Sequence, residues 1–349
     1  MPIITRRNFT KTFHHDTYSA LQSKIGGISL SSKSAFITGS GSGIGRATAI
    51  AFAKAGARAV FLSGRTASTL AETKEMIKRV NPDTAVQEFV FDISSKLGEV
   101  DVVFEEATKL NGGTPIDIFV NRYARALPEL HAADVLDNAA DLASIPTVAE
   151  PNVDLESSTA NFERYWRHFE VNVRGSLALA TAFLRHASPT GGTILNLTSG
   201  AAVIDFVPGL SGYGASKLAA LKMFTYLWHE HRESGRDLKV FHIHPGVVAT
   251  SMAKEGKSRT EDTAELAADF SVWLLGGDAD FLQNRFLYRF TTIMPALAHR
   301  LHPQSDFYLL PGANMCRDVD ELVDMKDRIV EENLLTVGLR GWDSTALSF

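Results

Sequence analysis

Cysteine is nearly absent: Cys316 is the only one in 349 residues. That excludes a disulfide framework and a thiolate-built zinc site, and it fits a reducing compartment. A cytoplasmic location is therefore expected. Basic residues are not in excess, since 35 Lys and Arg stand against 40 Asp and Glu for a net charge of −5. No footprint for nucleic acid or an anionic membrane follows from that balance. Long apolar runs are missing too. The most apolar stretch, Ala47 to Leu62, is interrupted by Lys54 and Arg58, well short of the roughly 18 residues a membrane span needs. What is present is ordinary globular composition, 45% hydrophobic and 21% charged, without repeats or low-complexity tracts.

The N-terminus is Thr/Ser-rich, carries Arg6, Arg7 and Lys11, and has Asp16 as the sole acid of its first 30 residues. It has some likeness to a transit peptide, but a polar extension ahead of the domain is the plainer alternative. It lacks the apolar core of a secretion signal, and the C-terminal Leu347-Ser348-Phe349 is not a peroxisomal address. A length of 349 residues allows two domains at about 150 residues each. The distribution of motifs argues for one, with residues 1–33 as an extension, 34–330 as the domain and 331–349 as a tail.

From Ser34 onward short apolar runs alternate with helical segments. The runs are Ala35 to Ile37, Ala59 to Leu62, Phe89 to Phe91, Ile116 to Val120, Thr193 to Leu197 and Lys239 to Ile243. Between the first two, Ile44, Thr48, Ala51, Phe52 and Ala55 recur at the helical period. Further helices are expected over Ser68 to Val80, Val100 to Lys109, Phe162 to His186 and after Gly212. Six short, continuously apolar strands separated by helices predict a parallel sheet covered on both faces, a Rossmann-type doubly wound α/β domain. Two stretches break the alternation: 122–160, with Pro128, Pro146 and Pro151, and 291–313, with Pro295, Pro303 and Pro311. Insertions of that length are commonly lids or irregular loops.

Three sequence features carry chemistry. The first is Thr38-Gly39-Ser40-Gly41-Ser42-Gly43-Ile44-Gly45, set between strand and helix. It does not match G-x-G-x-x-G but does match T-G-x-x-x-G-x-G. Its glycines let the backbone approach a pyrophosphate seated on the helix N-terminus. At the end of the second strand, where an acid would hold an NAD ribose, the chain reads Ser63-Gly64-Arg65. Arg65 suits a 2′-phosphate and Ser63 can add a hydroxyl, so NADP is expected over NAD; the alternative is a solvated arginine. Asp92 can accept the adenine amino group with Ile93 as an apolar contact, or Asp92 can simply cap the next helix.

The second feature is Tyr213-Gly-Ala-Ser-Lys217, which puts phenol and ammonium one helical turn apart. A neighbouring ammonium favours the phenolate, so the tyrosine can act as acid or base. Ser199 lies fourteen residues upstream at a strand end, where it can donate to a developing oxyanion. The third feature, Asn172, sits mid-helix, a mediocre place for asparagine, and reads as the holder of a water connecting Lys217 to solvent.

These motifs, in the order Gly39/Gly43/Gly45, Asn172, Ser199, Tyr213, Lys217 and Pro245-Gly246-Val247-Val248-Ala249-Thr250, resemble the short-chain dehydrogenase/reductase family. The N-terminal His14-His15-Asp16-Thr17-Tyr18 and the phrases Ser271 to Leu275 and Asp318 to Leu322 are similar to a fungal branch of it. The resemblance implies a Rossmann domain with Tyr213 as acid/base, Ser199 stabilising the substrate oxygen, Lys217 holding the nicotinamide ribose, and Asn172 completing a tetrad. It also implies cofactor contacts from Ser42, Ile44, Asn121, Pro245, Gly246, Val248 and Thr250. The family's N-N-A-G segment is altered to Asn121-Arg122-Tyr123-Ala124. That bulk and the 291–313 insertion are either adaptations or retained intron sequence.

The expected activity is NADP(H)-dependent interconversion of a ketone and a secondary alcohol on an apolar, polyketide- or terpenoid-like metabolite. Alternatives are a non-redox enzyme of the same fold (dehydratase, isomerase or cyclase) and a silent dinucleotide-binding protein. Residues 201–210 are expected to line an apolar pocket and 251–262 to form a lid. Tyr165, Trp166 and Phe169 read as core or subunit interface, and helices over 162–186 and 212–231 as the faces of a homodimer or homotetramer. No metal site is expected from His229, His231, His242 or His244, because no carboxylate set converges with them. A serine hydrolase is not expected, since Gly209-Leu-Ser211-Gly212 is not a nucleophile elbow.

Overall fold

In the computed structural model, residues 12, 14–93, 97–122, 165–203, 211–246, 248, 262–288 and 318–335 are described. Seven parallel strands form one sheet in the order β3-β2-β1-β4-β5-β6-β7. They are β1 (Ser34–Thr38), β2 (Ala59–Gly64), β3 (Ala85–Val90), β4 (Ile118–Asn121), β5 (Gly191–Leu197), β6 (Asp237–His244) and β7 (Phe286–Tyr288). The order in which strands are added reverses between β1 and β4, the switch point at whose carboxyl ends sheets of this kind bind ligands. This is the doubly wound Rossmann-type sheet the alternating pattern predicts.

Six strands were expected and seven are present. The seventh, β7, spans only three residues, too short to register as a run; it pairs with His242, Ile243 and His244 of β6. Strand β3 starts earlier than Phe89, at Ala85, because this outer strand faces solvent along most of its length and so lacks a continuous apolar run. Strand β4 starts at Ile118 rather than Ile116. Asp117, just before it, instead accepts from the Ser34 backbone N–H at 2.8 Å and tethers the start of β1.

Helices cover both faces. One face carries α1 (Ser19–Gly26), α2 (Gly43–Lys54) and α7 (Ala264–Leu274), with α8 (Val319–Asp324) and α9 (Lys326–Glu331) at its margin. Their contacts with the sheet use Ile37, Leu62, Val120, Leu195 and Ile243, packed on Phe52 and Trp273. The other face carries α4 (Leu97–Leu110), α5 (Ser176–His186) and α6 (Ser211–Glu233). There Phe36, Phe104, Phe119 and Phe183 form an aromatic cluster, with Phe36 and Phe104 stacked at 4.3 Å. Alternate residues along each strand feed the two cores, as a sheet buried on both sides requires. Helix α3 (Ala67–Val80) packs beside α2 over β3 and β2, with Leu70 and Ile77 in the same core. Among the described residues no helix is long and apolar enough to cross a membrane.

From residue 14 onward the N-terminal segment is part of the domain's packing rather than an extension beyond it. Leu21 of α1 is fully buried among α7 and α8, and Leu30 is buried ahead of β1. The preceding residues clasp distant parts of the chain. His14 bonds Asp318 at 3.0 Å and stacks on Tyr18 at 3.5 Å, and Tyr18 Oη accepts from the Val319 backbone N–H at 2.9 Å. Stretches 123–164 and 289–317 lie outside the described residues, so the irregular insertions expected there, with Tyr123 and Ala124, lie outside them as well.

Leu21 tests the integration of the N-terminal segment. Leu21→Ala is expected to cost about 2–5 kcal/mol of stability, the range for a buried leucine truncated in a packed core. Urea denaturation of the two proteins measures it; a loss within a few tenths of a kcal/mol would mean the segment is dispensable to the core.

Candidate active site

The carboxyl ends of β1, β4, β5 and β6 bring the candidate residues together. Strand β1 ends at Thr38, and the chain turns through Gly39 (φ +61°) and Gly43 (φ +51°) into α2. Both values lie in the left-handed region that glycine alone occupies without penalty. Gly45 serves a different purpose: a Cβ there would stand 2.3 Å from the Gly39 carbonyl oxygen. Only glycine lets the first turn of α2 fold back so closely on the strand end. Ser42 precedes α2 without a side-chain cap, and no acid lies in the helix's first turn, so its leading N–H groups face an anion-accepting end. Ile44 is buried beneath it.

At the neighbouring strand end, Ser63 is buried and its hydroxyl donates to the Ile37 carbonyl at 3.4 Å, while Arg65 is exposed. Asp92 is half-buried and Ile93 fully so. Ile93 packs onto Gly175, where a Cβ would come within 2.7 Å of its Cγ1. Asn121, at the end of β4, turns into the protein: its Nδ2 donates to Asn196 Oδ1 at 3.0 Å and Ser176 Oγ at 3.2 Å.

Asn172 sits in a wider turn of the backbone, Glu170–Gly175, a π-helical segment between the helical residues 165–169 and α5. An ordinary helix interior was expected; the extra residue per turn is of the kind found at functional sites. Asn172 Nδ2 donates to Ser216 Oγ at 2.9 Å, and Ser216 Oγ donates to the Tyr213 carbonyl at 2.8 Å. Asn172 Oδ1 is buried without a hydrogen-bond partner among the described residues. Ser216 was not foreseen as a link, although it lies inside the Tyr213-to-Lys217 motif.

Ser199 follows β5, accepts from the Ala201 backbone N–H at 3.2 Å, and hydrogen-bonds the Tyr213 hydroxyl. Lys217 is buried one turn beyond Tyr213, its Nζ donating to the Leu197 carbonyl at 3.2 Å. Burial pushes the tyrosine pKa up, opposed by the Ser199 hydrogen bond and by the positive charge of Arg122. Burial, with Arg122 again contributing, lowers the lysine pKa to about 7. Arg122 itself lies over the glycine turn, with its backbone N–H on Thr38 Oγ1 at 2.9 Å and its Nη1 on the Gly39 carbonyl at 3.1 Å.

The last segment, Pro245 and Gly246, follows β6. Gly246 has φ +88°, and Asp262 Oδ2 would lie 2.2 Å from a Cβ there. Val248 pairs with Asp262 in an isolated bridge, and Asp262 Oδ1 bonds His15 Nδ1 at 3.1 Å. Thr250, the 251–261 part of the expected lid and residues 204–210 of the expected pocket lie outside the described residues. Among the described residues no group of three or more metal-ligating side chains gathers. Tyr165 and Phe169 are half-buried, whereas Trp166 is exposed and stacks on Phe169 at 5.2 Å.

A glycine turn, a serine-tyrosine-lysine group and a buried asparagine thus gather about the carboxyl ends of the central strands. The family model described as short chain dehydrogenase matches residues 33–261. The chain belongs to the short chain dehydrogenases. Members of this family bind a nicotinamide dinucleotide, and the narrow glycine turn with its open helix end fits such a group. Among fungal relatives, the short chain dehydrogenase/reductase nsrO of Aspergillus novofumigatus is 27% identical over 339 residues, covering 95% of this chain and 96% of its own. The short chain dehydrogenase citE of Monascus ruber is 28% identical, covering 78% of this chain and 85% of its own. Among solved structures, a 7α-hydroxysteroid dehydrogenase complexed with NADH and 7-oxo glycochenodeoxycholic acid has the same fold. It matches at a TM-score of 0.61 and 22% identity, over 79% of this chain and 97% of its own. A hydroxysteroid dehydrogenase from Escherichia coli matches at 0.57 and 23%, over 76% and 97%.

In this dehydrogenase the buried lysine leaves a mark on stability. Its folded pKa of about 7 lies below the unfolded value near 10.4. Between the two the unfolded chain holds the extra proton, so stability must rise with pH in that window. The ligand-free enzyme is expected to gain stability relative to Lys217→Met from pH 7 toward pH 10. Parallel urea curves for the two proteins across that range would contradict the burial of the amine.

Proposed function

We propose that the enzyme is an NADP(H)-dependent oxidoreductase that interconverts a ketone and a secondary alcohol on an apolar small molecule. The observation that carries this reading is the Tyr213 hydroxyl bonded to Ser199, one helical turn from Lys217, at the crest beside the glycine turn. When bound, the nicotinamide supplies or accepts hydride at the carbinol carbon. Tyr213 gives its proton to the substrate oxygen in reduction and removes it in oxidation. Ser199 donates a hydrogen bond to that oxygen as charge develops. Lys217 holds the ribose side of the site, and Asn172 Oδ1 holds a water on the path from Lys217 to solvent.

The NADP preference rests on Arg65, exposed at the end of β2 where no acid stands. Ser63, committed to the Ile37 carbonyl, leaves the 2′-phosphate to the guanidinium. Asp92 and Ile93 flank the adenine. The fungal relatives support a place in secondary metabolism, and the polyketide- or terpenoid-like character of the substrate is part of the proposal, drawn from the apolar sequence of residues 201–210. Their names specify no substrate. A cytoplasmic homodimer or homotetramer fits the single cysteine and the exposed Trp166, Leu177, Leu218 and Tyr226 on the helices expected to pair. A second reading, non-redox chemistry on the same scaffold, draws on Arg122, whose bulk lies against Gly39 in the dinucleotide crevice.

Loss of nicotinamide absorbance across a panel of apolar ketones tests the reaction. Tyr213→Phe is expected to lower kcat by about 10²–10⁴, the usual worth of a positioned acid/base. Turnover that survives this change and needs no dinucleotide would establish the non-redox reading instead. Arg65→Ala is expected to weaken NADPH about tenfold or more while leaving NADH within about twofold, because one charge-assisted fork is lost. Equal weakening of both, measured by fluorescence titration, would remove the basis for the NADP preference.

A further inference from the structure

The turn after β6 carries Pro245, Gly246 and Val248, which the family resemblance sets against the dinucleotide. The ladder beneath it fixes its place on the crest. Leu197 of β5 pairs with Ile243 of β6, and the Thr198 backbone N–H donates to the Ile243 carbonyl at 2.8 Å. Pro245, two residues past that pair, is therefore level with Ser199. Gly246 follows with φ +88°, and a glycine backbone has many other conformations open to it. A turn built on such a residue is defined by what packs against it.

The packing comes from Asp262. Its Oδ2 occupies the place that a Gly246 Cβ would take, and its backbone pairs with Val248 in a parallel bridge. The carboxylate is fully buried, so its orientation depends on the donors that reach it. His15 supplies one, with Nδ1 at 3.1 Å from Oδ1. The His15 carbonyl accepts from the Thr263 backbone N–H at 2.9 Å, and Asp16 Oδ1 accepts from the Thr263 hydroxyl at 2.8 Å. One oxygen of Asp262 is thus engaged by the N-terminal segment and the other lies on the turn.

We propose that Asp262, oriented by His15, is the positioning residue that holds the turn after β6 against the nicotinamide half of the dinucleotide, a role that rests on the dinucleotide reading of the site. A buried carboxylate short of a donor turns to regain one, and turning takes Oδ2 off Gly246. The effect is confined to one half of the ligand. Adenosine and its phosphates belong to the glycine turn and Arg65, at the ends of β1 and β2, whereas β6 lies three strands away from β1 in the sheet. His15 can be changed without detaching the segment. Its side chain is 48% exposed, and His14 remains tied to Asp318 and Thr17 to Asp269.

Isothermal titration calorimetry on wild type, His15→Ala, His15→Asn and Asp262→Asn tests this. The ligands are NADPH and NADH, and their fragments 2′,5′-ADP and ADP, which lack the nicotinamide half. His15→Ala is expected to weaken whichever dinucleotide wild type binds by about tenfold, the worth of one hydrogen bond to a charged group, and to leave its fragment within about twofold. His15→Asn, which keeps a donor near the place of Nδ1, is expected to recover most of the loss. An unchanged dinucleotide affinity in His15→Ala overturns the proposal. So does an equal loss for dinucleotide and fragment, which a general loosening of the domain would give, or a His15→Asn as weak as His15→Ala. If circular dichroism shows His15→Ala to be unfolded, Asp262→Asn decides: it keeps the side chain's size without its charge and should show the same selective loss, and an unaltered affinity overturns the proposal. A wild type that binds neither dinucleotide refutes the dinucleotide reading and this role together. One that binds a dinucleotide as tightly as His15→Ala does refutes this role alone.

Discussion

A buried line of hydrogen bonds just beneath the crest holds the central strands in register, and the site above depends on it. Asn121 Nδ2 donates to Asn196 Oδ1 at 3.0 Å, and Asn196 Nδ2 to His242 Nδ1 at 3.2 Å. His242 Nε2–H in turn donates to Asn284 Oδ1 at 3.2 Å. The line runs from β4 across β5 and β6 to the turn before β7, with Ser176 of α5 tied in at 3.2 Å. Each member uses its donor on one side and its acceptor on the other, so the imidazole must be neutral with its proton on Nε2. Burial, which lowers the His242 pKa to about 4, keeps it in that form at neutral pH. A polar line in a low-dielectric interior is costly when broken, and a register slip of one residue would break every link.

That register fixes the chemistry because each functional group lies a short step beyond a member of the line. Arg122 follows Asn121, Ser199 lies three residues past Asn196, and Pro245 and Gly246 come just after the end of β6, which carries His242. Asn121, which the family resemblance assigns to the cofactor, here spends its side chain on the sheet interior. Through those bonds it ties the end of β4 to β5 and α5.

What was legible in the sequence followed from periodicity and from residues whose chemistry is unusual at their spacing. The glycine turn, Tyr213 with Lys217, and the alternation of strands and helices all carry local signals. The π-helical turn around Asn172 does not, and its close neighbour Ile93, packed on Gly175, is remote in sequence. Strand β7 was missed because three residues are too few for a pattern, and its pairing depends on β6. The N-terminal segment read as polar because its packing rests on a few apolar side chains, chiefly Leu21, while the rest of its attachment is polar. Arg122 was legible as a departure from a pattern, but its hold on Thr38 and the Gly39 carbonyl depends on the adjoining strand end and not on neighbours in sequence.

The polar attachment of the N-terminal segment leads back to the site. His15 Nδ1 meets the buried Asp262 Oδ1, and the His15 carbonyl accepts from the Thr263 backbone N–H at 2.9 Å. Asp262 in turn leaves no room for a side chain at Gly246 and pairs with Val248. One carboxylate therefore joins the start of the chain to the turn after β6. His14, one residue earlier, reaches Asp318 at the start of α8. The two ends of the segment between residues 248 and 262 are thus anchored to the domain through residues that precede the first strand. A change in residues 14–16 would act on the turn after β6 without touching Ser199, Tyr213 or Lys217. Length outside the motif-bearing region is, in this enzyme, part of how the crest is built.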